Sequence, residues 1–214
     1  GFLRPVIGHT CIGCRKCEKH CPGLAPAPAD LDPAQLRVYA VRNRDAAVLG
    51  ASTSGGLFTA LARLVLREGG LVFGAAFDGE LRVVHRAVET EEELAALRQT
   101  KYVQSDLDGV FRQVSRALGA GRKVLFTGAP CQVEGLRRYL GGDREHLITC
   151  DLVCHGVPSP GVYRDWLAAV EAAQGARAVS LLFRDKSAGW DKARLTLTFA
   201  NGAQTSAPLT QTPF

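Results

Sequence analysis

The sequence lacks the features that mark membrane, secreted and nucleic-acid-binding proteins. Its longest apolar candidate, Leu57–Leu66, is interrupted by Arg63 and falls short of the roughly 18 residues that a membrane-spanning helix needs. Residues 1–10 contain no basic segment followed by an apolar one, so no signal peptide is recognisable. Lysine and arginine are scattered without interleaved aromatics, and the net charge is only +5. We therefore expect a cytoplasmic protein with no membrane span and no nucleic-acid partner.

Methionine is absent, and tryptophan occurs only twice. The chain begins Gly1-Phe2-Leu3 and ends Pro213-Phe214 directly after a hairpin pattern, so we expect it to be part of a longer protein. The remaining composition is ordinary: 214 residues, 46% hydrophobic and 22% charged. These values exclude a disordered or collagen-like chain and allow one sizeable core with a small appendage.

Seven cysteines fall into two groups, one near the start and one more than a hundred residues later. An odd number, a large chain and the lack of an export signal argue against a secreted disulfide framework. The first group follows the pattern C-x-x-C-x-x-C-x-x-x-C-P, with cysteines at Cys11, Cys14, Cys17 and Cys21. This is the bacterial ferredoxin pattern, and it predicts ligands of a [4Fe–4S] cluster. Zinc is the alternative, but structural zinc prefers separated C-x-x-C pairs.

The pattern leaves the role of Cys21 open. In two-cluster ferredoxins the cysteine before proline ligates the other cluster, whose remaining ligands come from the other half of the domain. Cys21 therefore either serves a second cluster, whose other ligands precede Gly1, or completes the cluster of Cys11, Cys14 and Cys17.

From Ala51 onward, strand and helix patterns alternate, which predicts an α/β fold: a mixed sheet with flanking helices, preceded by part of a bacterial-type ferredoxin domain. We expect a partial ferredoxin-like domain over residues 1–25, a linker over 26–48 and an α/β domain over 49–214 that continues beyond the last residue. A short strand is expected at Val38–Val41, and longer ones at Lys123–Thr127 and Leu147–Cys154.

The run Ser52-Thr53-Ser54-Gly55-Gly56 is expected to open a helix. Helix N-termini with small residues bind phosphate, but serine and glycine are also preferred there as plain caps. Lys101 has two interpretations as well: it either steadies a phosphate or the negative charge of a reduced flavin, or it is an ordinary solvated lysine. The turn from Phe183 to Trp190 is polar with one aromatic, which suggests ligand contact only weakly.

The second cysteine group follows two predicted strands. Cys131 opens a helix after the strand that ends at Thr127, where ligands of open α/β sheets collect. It is therefore a metal ligand, a nucleophile or a small buried residue. Cys150 and Cys154 are four residues apart on a predicted strand, so they would point to one face about 13 Å apart. We therefore pair Cys154 with Cys131 and assign Cys150 to the core.

Taken together, the motifs resemble the coenzyme F420 hydrogenase/dehydrogenase beta-subunit family in its bacterial ferredoxin-fused form. Besides the cysteine loop, the matching segments cover nearly the whole chain in the family's order: GFLRPV, STSGG, TKYVQS, KVLFTGAPCQVEGL, DLVCHGVPSP, FRDKSAGW and the Asn201-Gly202 hairpin. The resemblance implies an oxidoreductase carrying FAD and [4Fe–4S] clusters, which exchanges electrons with a soluble hydride acceptor such as the deazaflavin coenzyme F420 or another substrate. Its partner would be a ferredoxin or a hydrogenase or dehydrogenase subunit.

The same resemblance implies that the α/β domain of residues 49–214 binds the flavin. It also assigns site residues but names no catalytic one. Flavin contacts would come from Ser54, Gly55 and Gly56 and from Thr100, Lys101 and Tyr102. Cys131 and Cys154 would hold a further [4Fe–4S] cluster.

Three departures from the family accompany these assignments. The first half of the two-cluster ferredoxin is missing, the C-x-x-C completing the inner cluster would lie beyond Phe214, and Ala129 replaces the threonine often found before proline. Two other functions remain open. One is a non-catalytic iron–sulfur electron-transfer subunit, and the other is a zinc-stabilised binding module.

Overall fold

A computed structural model describes residues 1–24, 34 and 36–214 of the chain. Residues 25–33 and 35, where much of the predicted linker falls, lie outside this description. The helices are α1 (Lys16–His20), α2 (Ala46–Gly50), α3 (Leu57–Arg67), α4 (Val110–Gly119), α5 (Pro130–Leu140) and α6 (Pro160–Gln174). The strands are β1 (Leu71–Phe77), β2 (Val83–Val88), β3 (Val124–Gly128), β4 (Leu147–Asp151), β5 (Ala178–Asp185), β6 (Arg194–Phe199) and β7 (Gln204–Pro208). Short 3-10 helices cover Glu93–Leu97 and Leu209–Gln211.

The strands form two sheets. The first has the order β2-β1-β3-β4, in which β1, β3 and β4 are parallel and β2 is antiparallel to β1. The second is antiparallel, with the order β5-β6-β7. The predicted α/β fold with a mixed sheet and flanking helices is therefore confirmed, and the C-terminal strands form a sheet of their own.

The first sheet is buried on both faces because its central strands are apolar at nearly every position. Side chains of a strand alternate between faces. Phe73 of β1 packs on one face against α4 and α5, whereas its neighbour Val72 packs on the other against α3 and the first 3-10 helix. Phe126 and Leu125 of β3 divide in the same way. This is the pattern expected of parallel strands covered by helices on both sides.

A further core joins the second sheet to α6 and to the β1–β2 hairpin. Phe183, Leu197 and Phe199 are almost fully buried there. The Tyr163 hydroxyl of α6 donates to the Leu81 carbonyl oxygen at 2.9 Å, which ties the helix to the hairpin. Helix α6 begins as the sequence predicted, since Ser159 Oγ accepts from the Val162 amide and Pro160 occupies the first helical position.

Two expectations about local structure were wrong. Residues 38–41 form no strand; the backbone at Val41 lies against Gly55 instead. Strand β4 ends at Asp151, so Cys154 lies in the following loop and the argument from a shared strand face does not hold. Of the ferredoxin-like part, the described residues 1–24 contain one short helix, α1, and no strand.

No helix among the described residues is both long enough and apolar enough to cross a bilayer.

Gly70 is a sharp test of the packing between α3 and β3. A Cβ added there would lie 2.5 Å from the Lys123 carbonyl oxygen and 2.8 Å from that of Val65, and backbone cannot easily yield. We expect Gly70→Ala to lower the free energy of unfolding by roughly 1–3 kcal/mol, measured by urea denaturation. Gly119→Ala is the control, because its added Cβ meets nothing within 4 Å; equal losses for both variants would contradict this account.

Candidate cofactor-binding site

The Ser52–Gly56 run forms the loop between α2 and α3. Helix α3 starts at Leu57 after Gly56, whose φ of 78° lies in the left-handed region, and no side chain caps its first turn. The hydroxyls serve other contacts: Ser52 Oγ donates to the Val48 carbonyl oxygen at 2.6 Å, and Thr53 Oγ1 accepts from the Thr100 amide at 3.0 Å. Plain side-chain capping therefore does not explain this run.

Residues 41–43 hold the loop from one side. The Asn43 amide donates to the Gly55 carbonyl oxygen at 2.7 Å, and Asn43 Nδ2 donates to that of Gly56 at 3.3 Å. A Cβ on Gly55 would overlap the Val41 carbonyl oxygen. Glycine is required at this position because two backbone segments approach each other directly.

The Thr100–Tyr102 segment lies against the same loop. The Thr100 amide and hydroxyl both contact Thr53 Oγ1, at 3.0 and 3.2 Å. Tyr102 packs edge-on to Phe183 with ring centroids 5.6 Å apart. The fold thus brings together the two segments to which the sequence assigns flavin contacts.

Lys101 is partly buried and is not the solvated lysine considered as an alternative. Its Nζ donates to three carbonyl oxygens at and just beyond the end of the first 3-10 helix, those of Ala96, Arg98 and Gln99, at 3.0, 2.6 and 3.3 Å. Burial lowers the pKa of Lys101 to about 7. The described contacts direct this amine to the backbone, and its role toward a flavin stays a prediction.

A cavity of about 620 Å³ opens beside the loop, within the size range of small-molecule sites. Ser54, Gly55, Lys186 and Trp190 line it, together with Arg42 and the apolar residues Ala46, Leu49 and Gly50. Lys186 Nζ donates to the Ser52 carbonyl oxygen, and no carboxylate of the described chain forms an ion pair with Lys186 or Arg42. The cavity therefore combines positive charge, an aromatic ring and bare backbone, which suits an anionic ring compound.

The wall of the cavity at Trp190 carries a further cation. The Arg184 guanidinium lies over the Trp190 ring, 5.6 Å from its centroid, within reach of a cation–π interaction. The polar turn with one aromatic, which the sequence singled out only weakly, thus forms part of this cavity. Arg42 was not assigned to a site from the sequence, because the residues before it were expected to form a strand.

Cys131 and Cys154 follow neighbouring parallel strands. Gly128 at the end of β3 pairs with Asp151 at the end of β4, and the Leu152 amide donates to the Gly128 carbonyl oxygen at 3.2 Å. Each cysteine is three residues beyond this pair, and both are exposed. The topology brings them to one sheet edge, as expected. Because Cys131 is exposed, it is not the small buried residue considered as an alternative.

Cys150 lies where the sequence placed it, against the core. It packs partly buried beside α3 and β1. Burial, with a smaller effect of the Asp151 charge, raises the pKa of the Cys150 thiol. A raised pKa disfavours the thiolate that binds metal.

The opening cysteine loop lies on α5. Arg138 Nη1 donates to the Cys21 carbonyl oxygen at 3.3 Å, and Pro22 approaches Gly135 of the same helix. Because Cys131 is the second residue of α5, this helix carries one cysteine of the second group and contacts the first group.

The chemistry of the donor set fits an iron–sulfur cluster. All seven cysteines are free, and Cys11, Cys14 and Cys17 are exposed. Gly13 adopts a φ of 68° between the first two, and its amide contacts Cys11 Sγ at 3.5 Å. Among the described residues, no three His, Cys, Asp or Glu side chains gather as a metal-binding group. The ligand assignments therefore rest on spacing and exposure.

Comparison with known proteins agrees with the motifs. Residues 121–212 match the family model for the C terminus of the coenzyme F420 hydrogenase/dehydrogenase beta subunit. The fold is similar to a chain in a solved structure of the F420-reducing [NiFe] hydrogenase complex from Methanosarcina barkeri, determined with xenon derivatization, with a TM-score of 0.53 and 21% identity. The similarity covers 84% of this chain and 63% of that one, so the present chain spans less than two thirds of its solved neighbour. No curated protein matches the chain.

These findings confirm the resemblance to the F420 hydrogenase beta-subunit family. The family match covers α5, β4, α6 and the second sheet, and thus both strand-edge cysteines and Trp190. The structural similarity extends the shared fold over most of the chain.

Burial of Lys101 predicts a pH effect on stability. Between its folded pKa of about 7 and its ordinary value near 10.5, the unfolded chain binds a proton that the folded chain has released. Stability therefore rises with pH in this window, by at most about 1.4 kcal/mol per pH unit from this group. We expect urea denaturation at pH 7.5 and 9.5 to show a smaller rise for Lys101→Met than for the unsubstituted protein. Identical rises would show that Lys101 keeps its ordinary pKa.

Proposed function

We propose that this chain is part of an iron–sulfur flavoprotein oxidoreductase. In this proposal electrons pass between [4Fe–4S] clusters, FAD and a soluble hydride acceptor such as a deazaflavin. The observation that carries it is the positively charged cavity between the Ser52–Gly56 loop and the Lys186–Trp190 turn. The Thr100 amide holds this loop through Thr53. The family match over residues 121–212 supports it.

FAD would be held by the residues that the sequence assigned to it. The backbone at Ser54 and Gly55 borders the cavity, and Gly56 completes the turn into α3. Thr100 fixes the loop through Thr53. Lys101 and Tyr102 follow Thr100 directly and are the remaining proposed flavin contacts. A flavin accepts electrons singly and passes them on as a hydride, which a cluster alone cannot do.

The clusters would bring electrons from a protein partner. Cys11, Cys14 and Cys17 are proposed ligands of one cluster, and Cys21 of the same or a neighbouring one. Cys131 and Cys154 are proposed ligands of a cluster at the edge of the first sheet. The opening loop contacts α5 at Gly135 and Arg138, and Cys131 is the second residue of that helix. One helix therefore connects the opening loop with the edge of the first sheet.

The proposed partner is a ferredoxin or a hydrogenase or dehydrogenase subunit, since single-electron clusters need a protein that supplies or accepts electrons. The proposed compartment is the cytoplasm. A second candidate, a non-catalytic electron-transfer subunit, is favoured only by the cysteine loop, and it leaves the cavity without a ligand.

The visible spectrum distinguishes these two functions. We expect the intact protein, purified and reconstituted without oxygen, to show flavin absorption bands at roughly 370 and 450 nm. Gly55→Ala should weaken flavin binding at least about tenfold, because the new Cβ displaces the loop from the Val41 carbonyl. Gly79→Ala is the control, since nothing lies within 4 Å of its added Cβ. Clusters without flavin would favour the electron-transfer subunit.

Iron analysis tests the ligand assignment. We expect Cys14→Ala to lose the iron and acid-labile sulfide of one cluster while keeping bound flavin. Cys150→Ala should keep both, because that thiol packs against the core. Zinc without labile sulfide in the unsubstituted protein would instead support the zinc-stabilised module. Equal iron in all three proteins would refute the assignment of Cys14.

A further inference from the structure

A buried chain of hydrogen bonds connects β2 to the turn that carries Cys131. Its central member is His85 of β2, which is 6% exposed. His85 Nε2 lies 2.9 Å from the Thr127 carbonyl oxygen, and Nδ1 lies 2.8 Å from Ser105 Oγ. Gln132 Nε2 in turn donates to Ser105 Oγ at 2.8 Å. The chain thus starts at the end of β3 and ends in the first turn of α5. This segment, residues 127–132, is called the β3–α5 turn below.

The direction of each bond in this chain follows from its partners. A carbonyl oxygen only accepts, so Nε2 of His85 carries the proton. In the neutral ring Nδ1 then accepts from the Ser105 hydroxyl, whose oxygen accepts from Gln132 Nε2. The other end of that amide, Gln132 Oε1, accepts from the Ala129 amide at 2.9 Å. The four bonds fit one consistent assignment of donors and acceptors, as expected for a rigid polar network.

Packing restricts the same groups. The His85 ring stacks on Phe126 of β3 with centroids 5.4 Å apart and planes 21° apart. A Cβ on Gly128 would lie 2.9 Å from Gln132 Oε1 and 3.4 Å from His85 Nε2. Glycine at this position therefore leaves space for both side chains. Cys131 lies between the two anchored positions, Ala129 and Gln132.

We propose that His85 is a positioning residue for Cys131, holding the β3–α5 turn through Thr127 on one side and through Ser105 and Gln132 on the other. It does not touch the cysteine; it fixes the backbone on both sides of it, so that the thiol keeps one direction at the sheet edge. The part that concerns a cluster rests on the proposed function, in which Cys131 is a ligand. The anchoring of the turn does not depend on it.

Hydrogen exchange of the metal-free protein, followed by mass spectrometry, tests the anchoring. Ser105→Ala removes the hydroxyl that joins His85 to Gln132. We expect exchange in residues 128–133 to speed up about tenfold, as for the loss of one buried hydrogen bond. Ser105→Thr keeps the hydroxyl and should restore slow exchange. Thr196→Val, which removes a buried hydroxyl bonded to Asp185 and Ser206 in the second sheet, should leave the segment unchanged.

Gln132→Glu provides a second variant should Ser105→Ala fold poorly. It keeps an acceptor for the Ala129 amide but loses the donor to Ser105, so faster exchange in the same segment is expected. Unchanged exchange in Ser105→Ala or Gln132→Glu would overturn the proposal.

A spectroscopic measurement separates positioning from stability. In a Cys14→Ala background, which lacks the opening-loop cluster, we expect Ser105→Ala to shift the electron paramagnetic resonance g values of the remaining reduced cluster. Thr196→Val should leave those g values as they are. A purely structural role would lower the amount of cluster at unchanged g values and would overturn the link to Cys131. Iron-free unsubstituted protein would refute the proposed function, and hydrogen exchange would still decide the anchoring.

Discussion

The parallel pairing of β3 with β4 is the constraint on which the candidate site depends. Because Gly128 pairs with Asp151 at the ends of these strands, the chain leaves the sheet twice at the same edge and in the same direction. Each exit carries a cysteine three residues later, although Cys131 and Cys154 are far apart in sequence. Burial of the sheet on both faces fixes this register, since a slip by one residue would exchange the side chains that face α3 with those that face α5.

Buried polar contacts fix the direction of loops, which the apolar core does not. An apolar core specifies which faces meet, but it leaves the direction of a loop open. In this protein the loops around both candidate sites are held by directed hydrogen bonds: Thr53 to Thr100 beside the cavity, and His85 through Ser105 to Gln132 beside Cys131. Unpaired buried donors are costly, so such networks favour one loop arrangement over its neighbours.

The charged side chains at the cavity differ from others in the chain because they lack partners of opposite charge among the described residues. Most arginines near the first sheet are paired, as Arg63 and Arg98 are with Glu91. Arg42 and Lys186 at the cavity have no such carboxylate partner within the described chain. Positive charge left without a counter-charge next to exposed backbone is what an anionic cofactor requires.

The sequence by itself determined the spacing of the cysteine loop, the alternation of strands and helices, and the cap of α6, because each depends on residues close together along the chain. The predicted resemblance followed from the same short motifs. Tertiary structure alone decided that Lys101 is partly buried, that Arg42 reaches the cavity and that β4 stops before Cys154. It also decided that His85 reaches the turn of Cys131. Each of these depends on contacts between residues separated by tens of positions, which local patterns do not encode.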